Sequence, residues 1–422
     1  MAHLRKRDVA GTVAGNALEF YDFTTYAYFA IQIGHTFFPT KDEFTGLMLA
    51  LITFGGSFVM RPIGGFLIGR YADTNGRKPA MLLCFTLMGL GVLGLALTPS
   101  YASIGVAAPI IVVLLRLIQG FALGGDVGPT TALLMEAAPA ERRGLYGSMQ
   151  FASQGLSTTL AGIAGVVLAS VLSAHQLETF GWRIALGLGA LVVPLGFMLR
   201  RNLPETLPEH AEHPASIADP DVLRTAIAGL LVIMGSTTSF YVLAYMSTYA
   251  QIVLHMKTNI SFAATLVFGI CNVVFSSIAG WLSDLYGRRP VMIWPRIVLL
   301  FLTWPAFLVI NRDVSPVTLL AMTALLAVFA QSGGAVSLVA ITEALPPRLR
   351  SATMATVYAV GVATFGGTTQ PIVTWLMHAT GDIFAPAWWL MATTVFCIGA
   401  LLMLRETAPV KIGGASSKIA FR

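Results

Sequence analysis

The sequence predicts an all-α integral membrane protein with twelve transmembrane helices in two pseudo-symmetric six-helix bundles. Three observations predict it. The 422 residues are 56% apolar and only 11% charged, with a mean hydropathy of +0.75, a composition foreign to water-soluble domains. Apolar stretches of about 20 residues, the length that crosses roughly 30 Å of hydrocarbon, follow one another with short polar breaks. One polar pattern, G-x-x-x-D-x-x-G-R-[KR], occurs twice, as an internal duplication would leave it.

The first span, 9–33, follows Arg5, Lys6 and Arg7 and carries Asn16, Glu19 and Asp22. It is too long and too polar for a cleaved signal peptide, so a permanent helix is expected. Spans 45–70 and 79–99 flank the first copy of the motif, and 104–128 holds Arg116. Spans 146–172 and 181–200 complete the first bundle, residues 1–200. Residues 201–222 are polar, with Pro204, Pro208, Pro214 and Pro220 beside His210 and His213, the composition of a cytoplasmic linker rather than of a metal site. The second bundle, 223–405, contains spans 223–250, 259–283, 290–310, 315–340, 352–379 and 384–404, and residues 406–422 form a tail.

Short loops rich in Lys and Arg stay in the cytoplasm. These spans put both termini on one side, which holds 19 of the 26 basic residues, while only Lys41, Arg183, Lys257 and Arg312 fall on the other. Both ends are therefore expected to be cytoplasmic, in a cell inner membrane. The net charge of +6 is a topology signal; no basic stripe interleaved with aromatics points to nucleic acid. Cys84, Cys271 and Cys397 sit singly in apolar runs and read as packing residues, with no metal set. Phosphate-loop, H-E-x-x-H and G-x-S-x-G patterns are absent, so no enzyme, no nucleotide site and no cofactor is expected.

The duplication is explicit. Gly69, Asp73, Gly76, Arg77 and Lys78 are answered by Gly280, Asp284, Gly287, Arg288 and Arg289; Glu136, Pro139 and Arg143 are answered by Glu343, Pro346 and Arg350. The glycines permit a tight turn and close packing, and the aspartates can cap a helix or pair with arginines. These residues resemble the loop signature of the major facilitator superfamily. The resemblance implies that Asp73, Arg77, Glu136, Arg143, Asp284, Arg288, Glu343 and Arg350 latch the bundles in the outward-open state and release as they rock. On the residues alone they could equally mark topology.

A narrower resemblance, to the metabolite:proton symporter family, is carried by four segments: Gly15-Asn16-Ala17-Leu18-Glu19-Phe20-Tyr21-Asp22-Phe23, Met60-Arg61-Pro62-Ile63-Gly64, Arg116-x-x-Gln119-Gly120-Phe121 and Gly181-Trp182-Arg183. Thr237 to Tyr241, Phe365-Gly366-Gly367 and Thr380-Gly381-Asp382 are most similar to citrate-proton symporters. The family implies proton-coupled import of organic acids or zwitterions. Asp126 stands where many members have glutamate and is carried over as a proton-coupling residue.

Ionisable residues inside a bilayer are costly and mark function by default. At about 1.5 Å per residue, Glu19 and Asp22 lie about 15 and 20 Å from the cytoplasmic face, and Arg116, on an oppositely running helix, reaches the same depth. A proton on Glu19 or Asp22 would free Arg116 or Arg61 to bind a substrate carboxylate, for which a planar guanidinium suits bidentate contact. The alternative for each arginine is a permanent structural ion pair or, for Arg61, service to the helix end before Pro62. Asp126 and Arg296 are equally structural or functional; Arg183 either steers anions or anchors the interface with Trp182. Tyr21, Tyr26, Gln119, Gln154, Tyr241, Tyr245, Asn272, Tyr358 and Gln370 are candidates to complete the cavity, each also able to serve packing. Gln370-Pro371 predicts a break in the eleventh span.

The expected activity is alternating-access symport of protons with citrate or a related di- or tricarboxylate, one chain being sufficient. Alternatives are 2-oxoglutarate, shikimate or a betaine-like zwitterion as substrate, a proton-driven efflux antiporter, and a non-transporting nutrient sensor.

Overall fold

The computed structural model describes residues 6–136, 138–190, 194, 220–346 and 350–412; within these ranges the side chains of 6–8, 72–73, 77–78, 81, 125–133, 135–136, 350–352 and 355 are not described. The described residues form helices and short connections, with no strand among them.

Span one is α1 (Lys6–Tyr28) and α2 (Ala30–Phe37), offset at Phe29. Then come α3 (Glu43–Asn75), α4 (Arg77–Leu97), α5 (Ala107–Glu136), α6 (Arg143–Val171) and α7 (Trp182–Gly189). The second half repeats the plan. Its seventh span is again discontinuous, α8 (Pro220–Ala244) and α9 (Met246–Ile252), followed by α10 (Thr258–Tyr286) and α11 (Arg288–Arg312). α12 (Pro316–Ala335) and α13 (Ser337–Ala344) make the tenth span, α14 (Arg350–Gly361) and α15 (Gly367–Thr380) the eleventh, and α16 (Ala385–Met403) the twelfth. The linker residues 201–219 lie outside the described residues.

Eight of these helical segments are long and apolar enough to cross a membrane. Spans one, three, six and eleven are not among the eight. Span one carries Glu19 and Asp22 and is offset at Phe29, and the apolar part of α4 is confined to Leu82–Leu97. Span six runs into undescribed residues, and span eleven is interrupted by a π-turn at Val362–Gly366. The break expected at Gln370-Pro371 is thus displaced. Pro371 sits inside α15, and the wide turn ends just before Gly367, the residue whose carbonyl faces the proline ring.

The motif's second glycine has the same role in both halves. Gly76 has φ 100° and ψ 154°, and Gly287 has φ 103° and ψ 159°, a region essentially closed to residues with a Cβ. Each stops one transmembrane helix and starts the next.

Packing is inside-out relative to a soluble protein. Val59, Phe66, Leu97, Val171 and Phe301 are exposed on the outer surface, whereas Asn16, Glu19, Asp22, Arg61, Arg116 and Arg296 are buried. This distribution suits lipid outside and a polar interior. The halves meet along two seams, α6 against α10 and α3 against α15. Both seams are glycine contacts: a Cβ on Gly55 would come 2.2 Å from the Gly367 carbonyl oxygen, and one on Gly269 would come 2.4 Å from the Thr159 backbone nitrogen.

Candidate functional site

Glu19, Asp22, Phe23 and Tyr26 recur at helical spacing and share one face of α1, and all four are buried. Phe54, Phe58 and Arg61 do the same on α3, and Arg116 with Gln119 on α5. The two arginines are brought together by glycines. A Cβ on Gly120 would lie 1.8 Å from the Ser57 carbonyl oxygen, one on Gly124 2.1 Å from the Arg61 carbonyl oxygen, and one on Gly64 1.9 Å from the Phe121 carbonyl oxygen. α3 and α5 therefore cross backbone to backbone, a small-residue contact, with Arg116 one turn from Gly120.

Both guanidiniums pack on the Phe23 ring, Arg61 at 4.6 Å and Arg116 at 4.8 Å from its centroid. Arg61 also lies 4.0 Å from the Phe58 centroid, and Arg116 4.2 Å from Tyr26 and 5.5 Å from Phe54. A desolvated cation–π contact stabilises by about 2 kcal/mol, less than the cost of stripping water from a full charge.

Polar partners are few. Arg116 Nη1 donates to Gln119 Oε1 at 2.7 Å and lies 3.7 Å from Asp22 Oδ2, an ion pair too long to be a hydrogen bond. Neither Asp22 oxygen accepts a hydrogen bond, and no nitrogen of the Arg61 guanidinium donates one among the described residues. The site thus holds two cations and an acid whose pairing is Coulombic only. A charge so poorly hydrogen-bonded inside protein is poised to exchange partners.

Arg61 lines a small cavity with Gln154, Ser236, Tyr241 and Tyr358, closed by Phe20, Phe151 and Phe240. Its volume of about 20 Å³ has room for one or two waters. Tyr241 reaches from the second half to within 5.6 Å of the Phe58 ring, and Val362, the first residue of the π-turn, closes the wall.

The other sequence candidates are placed as follows. Tyr26 donates from its hydroxyl to the Ala50 carbonyl at 3.3 Å, and Tyr245 accepts from Thr374 Oγ1 at 2.8 Å. Tyr21 donates to the Ala185 carbonyl at 3.0 Å. Asn272 sits in the seam between halves, accepting from Ser276 and packed against Gly155, and Gln370 is buried in α15. Neither Asn272 nor Gln370 is among the cavity-lining residues. Arg183 donates to the Ala96 and Thr98 carbonyls at 2.8 and 2.6 Å and stacks on Trp182. It holds the C-terminal end of α4, the anchoring alternative. Arg61 lies in mid-helix, so it does not serve a helix end. The side chain of Asp126 lies outside the described residues.

Sequence reasoning missed Phe23, Phe54 and Phe58, the rings that carry the arginines. For Phe54 and Phe58 the available signal was their i, i+4 spacing with Arg61 at i+7 on α3; for Phe23, on α1, it was adjacency to Asp22.

On the face carrying the motif loops, the second copy forms a network. Asp284 accepts from the Gly144 and Leu145 amides at 2.8 and 2.9 Å and from Arg288 Nη1 at 2.6 Å. Arg288 also donates to both oxygens of Glu343, at 3.1 and 3.3 Å. Asp284 of the second half therefore caps α6 of the first, where the helix dipole favours an anion. Arg143 is half-buried beside this cap, and the side chains of Asp73, Arg77, Glu136 and Arg350 lie outside the described residues. On the opposite face Phe44 stacks on His378 at 3.8 Å, and Phe29 meets Phe262 at 4.7 Å. The halves touch at both ends, which leaves the central site occluded.

Comparison with known proteins agrees with this architecture. The profile of the Major Facilitator Superfamily matches residues 12–271, and that described as Sugar (and other) transporter matches 213–414. The chain is 36% identical over 401 residues to a citrate-proton symporter of Salmonella typhi, covering 93% of this chain and 92% of that one. It is 31% identical to the alpha-ketoglutarate permease of Escherichia coli K12, covering 93% of each. It is also 29% identical to a proline/betaine transporter of Salmonella typhimurium, covering 98% and 86%. Among solved structures, the xylose transporter of E. coli in a partially occluded inward-open conformation superposes with a TM-score of 0.75 at 18% identity, covering 95% of this chain and 98% of that one. By its matched profile, its relatives and its doubled six-helix plan, the chain belongs to the major facilitator superfamily.

Proposed function

We propose that the protein imports an organic acid together with protons, citrate or a related di- or tricarboxylate being the substrate, by alternating access across an inner membrane with both termini cytoplasmic. The observation that carries this reading is the pair of buried guanidiniums on one aromatic ring, short of hydrogen-bonding partners, with Asp22 at Coulomb distance from Arg116. Such a site favours an anion. Protonation of Asp22 removes the charge that holds Arg116, and an incoming carboxylate replaces it; Glu19, one turn earlier, is the second proton acceptor. The relatives named as citrate-proton symporters support the substrate class.

The cavity is too small for a tricarboxylate, so binding requires the halves to part. Arg116, Arg61, Gln119 and Tyr241 contact the acid in that opened state, with Tyr26, Gln154, Tyr245, Asn272, Tyr358 and Gln370 around it. Asp126 contributes to proton coupling from α5. The network of Asp284, Arg288 and Glu343, with Arg143 and the first-half residues Asp73, Arg77, Glu136 and the second-half Arg350, closes the cytoplasmic side. The coupling ion is a proton, no cofactor takes part, and one chain suffices.

A second substrate reading, a betaine-like zwitterion, is favoured by the aromatic lining and by the relatives named as proline/betaine transporters. A thermal-shift panel of citrate, 2-oxoglutarate and glycine betaine against wild type and Arg116→Ala decides between them. Stabilisation by the acids that disappears in the variant is expected. Stabilisation by betaine alone would replace the substrate assignment.

A further inference from the structure

A third arginine, Arg296 on α11, is fully buried in the second half and has no part in the site described above. Its partners are neutral: Nη1 donates to the Gly235 carbonyl and the Ser239 hydroxyl, both at 2.9 Å, and Nη2 donates to the Ser236 hydroxyl at 2.6 Å. Nε has no partner, and among the described residues no carboxylate lies within ion-pair reach of it. Room for the guanidinium is made by α12, where a Cβ on Gly333 would come 2.9 Å from Nε. A full charge solvated only by two hydroxyls and a carbonyl is incompletely compensated.

Ser236 joins this charge to the cavity. Its hydroxyl receives the Arg296 hydrogen bond, and the same residue lines the space that Arg61 lines from the first half. The cavity is therefore bounded by a cation of one half and, one hydroxyl away, by a cation of the other. Ser236 now donates to the Val232 carbonyl at 2.9 Å; rotation of its hydroxyl would turn that donor to a ligand, with Arg296 strengthening it from behind.

Building on the carboxylate reading above, we propose that Ser236 and Arg296 form a second anion-recognition pole, which selects acids with two or more carboxylates over acids with one. One carboxylate meets Arg61 and another meets Ser236 backed by Arg296, so a single ligand ties the two halves together. A purely structural Arg296, holding α8, α11 and α12, would affect all ligands alike.

The test measures Kd for butyrate, glutarate and tricarballylate on the purified full chain, in wild type, Arg296→Gln, Arg296→Lys and Ser236→Ala. Wild type should bind more tightly as carboxylates are added. Arg296→Gln should weaken tricarballylate about 10- to 100-fold, the loss of one charged hydrogen-bonding group, and leave butyrate within about twofold. Arg296→Lys should restore part of the gradient, and Ser236→Ala should flatten it without loss of fold. If Arg296→Gln does not fold, the other two variants decide. A gradient unchanged in the folded variants, or absent from wild type that still binds carboxylates, overturns this inference alone. Wild type that binds no carboxylate overturns the carboxylate reading and this inference with it.

Discussion

At the residue scale the account rests on how Arg116 and Asp22 are held. The guanidinium sits over the Tyr26 ring, 4.2 Å from its centroid, and donates to Gln119, so its forked shape matters as well as its charge. Arg116→Lys keeps the charge and loses the stacking and the fork; uptake is expected to fall about 100-fold, as when a charged contact worth about 3 kcal/mol is lost. Asp22→Asn removes the titrating group and approximates its protonated form. Exchange of substrate across the membrane should persist while accumulation driven by a proton gradient is lost, a separation that counterflow and uptake assays resolve. That Glu19, Asp22, Arg61 and Arg116 are buried charges was legible because a charge inside an apolar span stands out. Phe23, Phe54 and Phe58 were not, since an aromatic ring in an apolar helix resembles any other packing residue until its neighbours are known. Arg296 was visible as a charge, but its neutral setting depends on Ser236 and Ser239, about sixty residues away along the chain.

At the scale of elements, glycines decide where helices touch. With a Cβ 1.8 Å from a backbone oxygen, Gly120→Leu must force α3 from α5. It is expected to abolish the folded protein or to separate the two arginines, read as loss of a monodisperse detergent peak or of ligand-induced stabilisation. The helix start at α3 offers a gentler test. Asp42 accepts from the Thr45 hydroxyl at 2.9 Å and from the Phe44 and Thr45 amides. The Thr45 hydroxyl, with smaller help from those amides and from His378, holds its carboxyl below the usual range. A depressed carboxyl contributes stability above its unfolded pKa, and that contribution fades as pH falls through the folded value. Asp42→Ala should therefore lower Tm slightly at pH 7, and the gap should close below about pH 4. The described span boundaries lie within a few residues of the hydropathy reading except at the end of α5, which runs on to Glu136, and the π-turn at Val362–Gly366 was not foreseen, because the proline that provokes it lies downstream of the distortion it causes.

At the scale of the whole molecule, the doubled motif announced the doubled architecture, and its shared glycine conformation at 76 and 287 is the physical reason the pattern recurs. Hidden from the sequence was that Asp284 would cap a helix of the opposite half. That contact joins the halves on one face, so Asp284→Ala should favour the state open on that face by about 2 kcal/mol, roughly 30-fold. Accessibility of cysteines introduced near Gly144 would rise if this is so. Two gates around a central charged site are what alternating access requires. The most direct test is uptake of labelled citrate into proteoliposomes with and without an inward proton gradient. Accumulation above equilibrium that an uncoupler collapses, and that Arg116→Ala abolishes, is the predicted result; accumulation indifferent to the proton gradient, or intact in Arg116→Ala, would contradict the account.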